Sequence, residues 1–261
     1  MAEEKIIALF DVCQLTYSEL RSFGDEFASV FSVVTFALNE VNVFARLLAF
    51  SQPYGFEDKD VQVAEVLQVS TMLRTWSAKL FELLKFLGAE NGAKKLKLND
   101  RNLESTLQGF RDNYSSIRVD ELANLMRSLR HESAFHFPLP AAIRNLNHVS
   151  QDAKLTLHFH ENVRNNFSAL GDELMFVGRV NRQFASSGND EEQREKFREW
   201  IVWTGKVHTM VTELQLKLFD ETIAARFPCR LEKKKQYSIP VEKTGLVGSS
   251  SVPLFIRSDD K

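Results

Sequence analysis

Between residues 58 and 87, Val66, Val69, Leu73, Trp76, Leu80, Leu83, Leu84 and Leu87 fall three or four positions apart. Only a helix gathers such positions on one face, so the stretch predicts an amphipathic helix well beyond the usual length. The same spacing returns from residue 190 to about 227, where Phe197, Trp200, Ile201, Thr204, Val207, Val211, Leu214 and Leu218 form the stripe. A third long helix is predicted from Ser18, read as its N-cap, to about residue 50. Helices of this length need partners along their whole apolar faces, which points to an all-α fold, a bundle of long helices. With 261 residues, 44% of them hydrophobic and 21 of them phenylalanine, one large core is affordable. The expected organisation is a helical bundle domain over residues 1–229, with an insertion at about 150–184, and a flexible C-terminal tail over 230–261.

Shorter elements fill in around these. A short helix is expected over 3–12 and a loop over 52–55. Gly88 and the Asn91-Gly92 pair stop the second long helix. Asp100 caps a helix to about residue 114, and 141–149 and 170–184 also read as helical. The run KLTLHFH (154–160) alternates apolar and polar with period two, which argues a short strand in the insertion. A loop is expected over 186–189, and Pro228 ends the last helix. Beyond Arg230 the Lys233-Lys234-Lys235 run and the segment VGSSSVP lose all periodicity, leaving 252–256 as a docking strand within the tail. No internal repeat is present.

Composition excludes several function classes. Thirty-three lysines and arginines against 35 acids leave a net charge of −2, so indiscriminate capture of nucleic acid is excluded while a local basic patch is not. The Lys94–Lys97 stretch reads as a solvated loop. Cys13 and Cys229 match no metal or redox spacing, and an acidic residue pair precedes the first short apolar run, the wrong polarity for a secretory signal. A cytoplasmic setting follows. Residues 27–43 hold one charge, Glu40, but Ser29, Ser32, Thr35, Asn39 and Asn42 punctuate them, and Arg46 closes the run short of the ~20 apolar residues a membrane span needs. We expect no membrane; this helix is buried on several sides, with spare apolar surface for a homodimer contact.

The chemistry is concentrated at 120–138, DELANLMRSLRHESAFHFP. Val119, Leu122, Leu125, Met126 and Leu129 form the inward face of a helix that Pro138 ends. Arg130, His131, Glu132 and His136 crowd into seven residues at its C-terminal end. Six helical steps of 100° leave Arg130 and His136 about 120° apart, so the helix must bend before Pro138 or two protomers must share one site. A histidine can move a proton near neutral pH, and a guanidinium can grip a phosphate and the charge that builds on it.

An arginine followed by a polar residue, with a histidine six positions after the arginine, resembles the signature of the HEPN family. The flanking LRHESAFHF is similar to an apolar-flanked form found in some bacterial members. The resemblance implies a helical bundle over about 18–228, a homodimer with a shared site, and a metal-independent endoribonuclease or RNA-binding protein of stress or phage defence. It places Arg130 and His136 at the centre, with His131 and Glu132 as orienting groups, no cofactor and no metal. The alternative is a non-catalytic dimerisation or protein-interaction module, whose phenylalanine-rich first long helix binds a partner or another copy of itself; Arg130 then pairs with Glu132 and His136 caps carbonyls. Elsewhere, His158 and His160 share a strand face and with His148 could bind zinc, but read as solvent-facing; His208 reads as a core histidine. No Gly-rich phosphate loop, nucleophile elbow or CxxC pair is present.

Overall fold

The computed structural model describes residues 8–11, 13–51, 58–90, 92–93, 96, 98–153, 156–185, 190–228, 234–237 and 252–253. The fold is all-α, with two short antiparallel strand pairs. In order the elements are β1 (Ala8–Asp11), α1 (Tyr17–Arg21), α2 (Asp25–Phe50), α3 (Lys59–Phe86), α4 (Arg101–Ile117), α5 (Asp120–Leu129), α6 (Leu139–Asn145), β2 (Leu157–His158), β3 (Phe167–Ser168), α7 (Ala169–Asp172), α8 (Gly178–Gln183), α9 (Asp190–Leu218) and β4 (Lys234–Tyr237). A π-helical turn, Arg130–Ala134, follows α5; another, Glu173–Val177, joins α7 to α8.

Several expectations are corrected. Part of the helix expected over 3–12 is a strand: Ala8–Asp11 pairs antiparallel with Lys234–Tyr237, in register Ala8 with Tyr237, and the rest of that stretch lies outside the described residues. So short a segment gains little as an isolated helix, because nucleation is costly, whereas a partner strand supplies hydrogen bonds directly. The helix expected over 18–50 is two helices. Thr16, not Ser18, caps the first through a capping box with Glu19. Gly24, at φ 95°, turns the chain before α2 starts at Asp25. Of the strand expected over 154–160, Leu157–His158 pairs with Phe167–Ser168; Lys154 and Leu155 lie outside the described residues, as does the loop expected over 186–189. Asp100 caps α4 as expected, accepting from the Asn102 and Leu103 amides.

Two compact units are distinguished, with boundaries that fall inside α2, α3 and α9. Residues 1–39, 83–117 and 208–250 form the first. Its core includes Val34 and Leu38 of α2, Leu84 and Leu87, and the α4 face Leu103, Leu107, Phe110 and Tyr114. Arg111 is buried there, its Nε donating to the Leu87 carbonyl at 2.9 Å and its Nη1 to Glu104 at 2.7 Å. His208 is half-buried in this unit, and burial lowers its pKa.

Residues 40–82, 118–207 and 251–261 form the second unit, which carries the Arg130–His136 segment. Its core gathers Trp76 and Leu80 of α3, Leu122, Leu125, Met126 and Leu129 of α5, Phe176 and Val180, and Trp200 and Trp203 of α9. Val66, expected on the α3 stripe, is instead exposed. Lys79 donates to both Glu40 oxygens at 2.9 Å, tying α3 to α2. The Val252 amide donates to the Phe50 carbonyl at 3.2 Å, and Gln68 donates to the Val252 carbonyl.

Asp172 fastens α7 to α3, accepting from Arg74 and from Ser70 Oγ, and its side chain is only 10% exposed. Replacing Asp172 with alanine removes the carboxylate from both, leaving Ser70 the Leu67 carbonyl and Arg74 the Thr71 hydroxyl. The expected cost is about 1.5–3 kcal/mol, a fall in Tm of roughly 3–12 °C by calorimetry. An unchanged Tm would show that the pair contributes nothing.

By length and composition α2 could cross a bilayer, with a mean hydropathy of 1.5 over its most apolar window. It also has a buried face, Phe27, Val30, Val34, Leu38 and Val41, and an exposed one bearing Val33, Phe36 and Val43.

Candidate functional site

Helix α5 delivers the motif. Its stripe of leucines and Met126 is fully buried, which fixes the rotation of the helix as it reaches Arg130. There the backbone widens into the π-turn, and Phe135 leaves the helix at φ −121°, ψ −17°. Two local features account for the change. His136 and Phe137 lead into Pro138, and a residue before proline is excluded from the α region. Ser133, buried, donates its hydroxyl to the Met175 carbonyl at 2.5 Å, holding the turn against the neighbouring helix. π-turns cluster at functional sites because they re-aim side chains that a regular helix would separate.

That re-aiming brings the motif together within one chain. Arg130 Nη1 lies 2.9 Å from His131 Nδ1 and 3.5 Å from His136 Nε2. The two imidazole rings are nearly parallel, 14° apart, with centroids 6.5 Å apart. Both histidines are exposed, while Arg130 is mostly buried. The edge of Phe81 supports His131 from α3, at 6.0 Å between centroids. Behind the cluster, Arg130 Nε forms an ion pair with Glu82 of α3. The guanidinium can only donate, so a ring nitrogen bonded to it is unprotonated and able to accept a proton.

Glu132 stands in a different network. Its Oε1 takes Arg144 at 3.3 Å, and its Oε2 takes Arg179 at 3.3 Å and also Arg182. Arg130 therefore pairs with Glu82, not with Glu132. Burial, with Arg182 alongside, pushes the Arg179 pKa down to about 10, which still leaves it charged at neutral pH. Arg179 and Arg182 reach Glu132 because Gly178 lets α8 start against α6: a Cβ there would sit 3.1 Å from the Asn145 carbonyl oxygen.

The other histidines stay apart from this group. His158 stacks on Phe167 at 4.1 Å, His160 Nδ1 accepts from the Asn162 amide, and the His148 carbonyl accepts from Asn181. Among the described residues, no three His, Cys, Asp or Glu side chains come together as a metal site would require.

Sequence reasoning missed Glu82, Arg144, Arg179 and Arg182. Glu82 was visible as the one acid in the apolar run LFELLKF, and Arg179 as a charge between Phe176 and Val180; both patterns signal a buried or half-buried partner. Which partner each meets depends on chain separations of up to about fifty residues, which spacing does not encode.

Comparison with protein-family models, with curated proteins and with solved structures finds no match to this chain.

Proposed function

We propose that Arg130, His131 and His136 are the centre of a metal-independent endoribonuclease, in line with the HEPN resemblance of the motif. The observation that carries this reading is the guanidinium held between two exposed imidazoles. One imidazole takes the proton of a ribose 2′-hydroxyl as its oxygen attacks the adjacent phosphorus. The P–O5′ bond breaks, and the other imidazole, as imidazolium, supplies the proton to the departing 5′-oxygen. The products are a 2′,3′-cyclic phosphate and a 5′-hydroxyl. Arg130 stabilises the charge on the non-bridging oxygens. A phosphate at Arg130 takes over the donors that the imidazoles now share, freeing their nitrogens for proton transfer. Glu82 orients the guanidinium from behind, and Glu132 has no part in the chemistry.

An acid–base pair gives the rate a bell-shaped pH dependence. Among the described residues, Arg130 and, behind it, Glu82 are charged groups set against the imidazoles. His131→Ala is expected to lose one limb of the profile along with most of the rate. A profile identical in shape to that of the wild type would assign His131 to orientation alone. The direct test of the proposed activity is cleavage of single-stranded RNA by purified protein, wild type beside His136→Ala.

A specific surface favours protein association as well. Leu139, Ile143 and Leu146 fall on one side of α6 and its 3₁₀ extension, each at least 56% exposed, and Phe137 beside them is 76% exposed. Clustered exposure of large apolar side chains marks an interaction surface. We assign it to a second copy of the chain, making the protein a homodimer whose contact borders the site. Light scattering at micromolar concentration should return about twice 29.9 kDa; a monomer at every concentration contradicts the assignment.

A further inference from the structure

We propose that Arg144 and Arg182, gathered with Arg179 around Glu132, bind an RNA backbone phosphate neighbouring the one at Arg130. This rests on the reading of Arg130, His131 and His136 as an RNA-cleaving centre.

Charge balance is the first argument. Glu82 already meets the charge of Arg130, so the histidine centre offers little net attraction to a phosphate. Around Glu132 three guanidiniums meet one carboxylate, three positive charges less one negative, an excess of two among the described residues. The pull on an anion therefore comes from the arginine trio. Holding like charges together at a half-buried position is costly, and an anion from solution relieves that cost.

Unused donors are the second argument. Arg182 Nη2 serves Glu132, while its Nη1 is buried with no hydrogen-bond partner among the described residues. Arg144 gives Glu132 only its Nη2, at 3.3 Å, and its side chain is 54% exposed. It is the member of the trio through which a ligand has access. Arginine's planar fork suits a phosphate, which offers several strong acceptors.

Position is the third. Glu132 follows Arg130 by two residues in the same π-turn, so one short backbone segment carries a residue of each group. An RNA strand that contacts both the trio and Arg130 is registered by the trio, and this fixes which bond is cut.

The test uses full-length protein and a fluorescent 2′-O-methyl RNA of about twelve nucleotides, a probe that resists cleavage. Binding is followed by anisotropy as salt is varied. Arg144→Gln should weaken binding about 3–10-fold near 0.1 M salt and flatten the slope of log K against log salt by about 0.7. Arg144→Lys should retain most of both, and Arg198→Gln, on the exposed face of α9, should retain all. Circular dichroism checks that the variants fold. Unchanged affinity and slope in Arg144→Gln overturn the subsite, while the cleavage reading stands if wild-type protein still cuts RNA. No binding by the wild type overturns it too. A parallel arm adds inorganic phosphate: Arg144-dependent thermal stabilisation without RNA binding would show that the ligand is a free phosphate, and would overturn the assignment to RNA.

Discussion

His136→Ala is expected to cut the rate of RNA cleavage by about 10²–10⁴, roughly 3–5 kcal/mol of barrier, while leaving the fold intact. The histidine is exposed and lies beyond the buried stripe of α5, so its truncation removes a proton-transfer group and almost no packing. Arg130→Ala is expected to lose a similar factor, because the guanidinium both meets the phosphate and holds the two rings. It also strands Glu82, which is 38% exposed and can be hydrated, so the cost to stability stays small. Single-turnover kinetics beside thermal melts separates the two effects. Retained cleavage in His136→Ala would remove this histidine from the mechanism and leave the interaction-module reading.

The largest expected effect on stability lies one turn away, at Glu132→Gln. Glu132 and Arg182 are each 18% exposed and Arg179 only 8%, so the carboxylate balances charge in a largely desolvated place. Removing one partner of a buried ion network costs about 3–5 kcal/mol, which for a chain of this size lowers Tm by roughly 6–20 °C. Glutamine keeps the shape and some hydrogen bonding, so the loss reports charge rather than packing. Added phosphate is expected to restore part of the lost Tm, because an anion can take the vacated role. A Tm within about 2 °C of wild type would mean that water already balances the three arginines.

Helix periodicity made the bundle legible. The α9 stripe, from Trp200 to Leu218, and the α4 cap at Asp100 emerge where spacing and end signals place them. Local patterns failed where tertiary partners decide. Ala8–Asp11 carries no strand signal of its own and is a strand because Lys234–Tyr237, more than two hundred residues on, pairs with it. Val66 fits the α3 stripe by spacing yet is exposed, while its neighbours Ala64 and Glu65 are buried, so another face of the helix is turned inward at that end. At the motif, the residues were readable but their convergence was not. Pro138 announced the end of the helix, whereas the π-turn depends on Ser133 reaching Met175. The alternative reading pairs Arg130 with Glu132 from their closeness in sequence, and the structure gives each a different partner. Glu82 on α3 takes the arginine, and α6 and α8 supply the three arginines that take the glutamate.

The claim that Arg130 and His136 cut RNA through the ribose hydroxyl is tested most directly by the chemistry of the products. Purified protein is incubated in EDTA with a labelled single-stranded RNA, beside the same RNA carrying one 2′-deoxy substitution at the mapped cut. The account predicts cleavage in EDTA, products ending in 2′,3′-cyclic phosphate and 5′-hydroxyl, and no cut at the deoxy position. Cleavage that persists at the deoxy position, or that vanishes when EDTA is added, would contradict it.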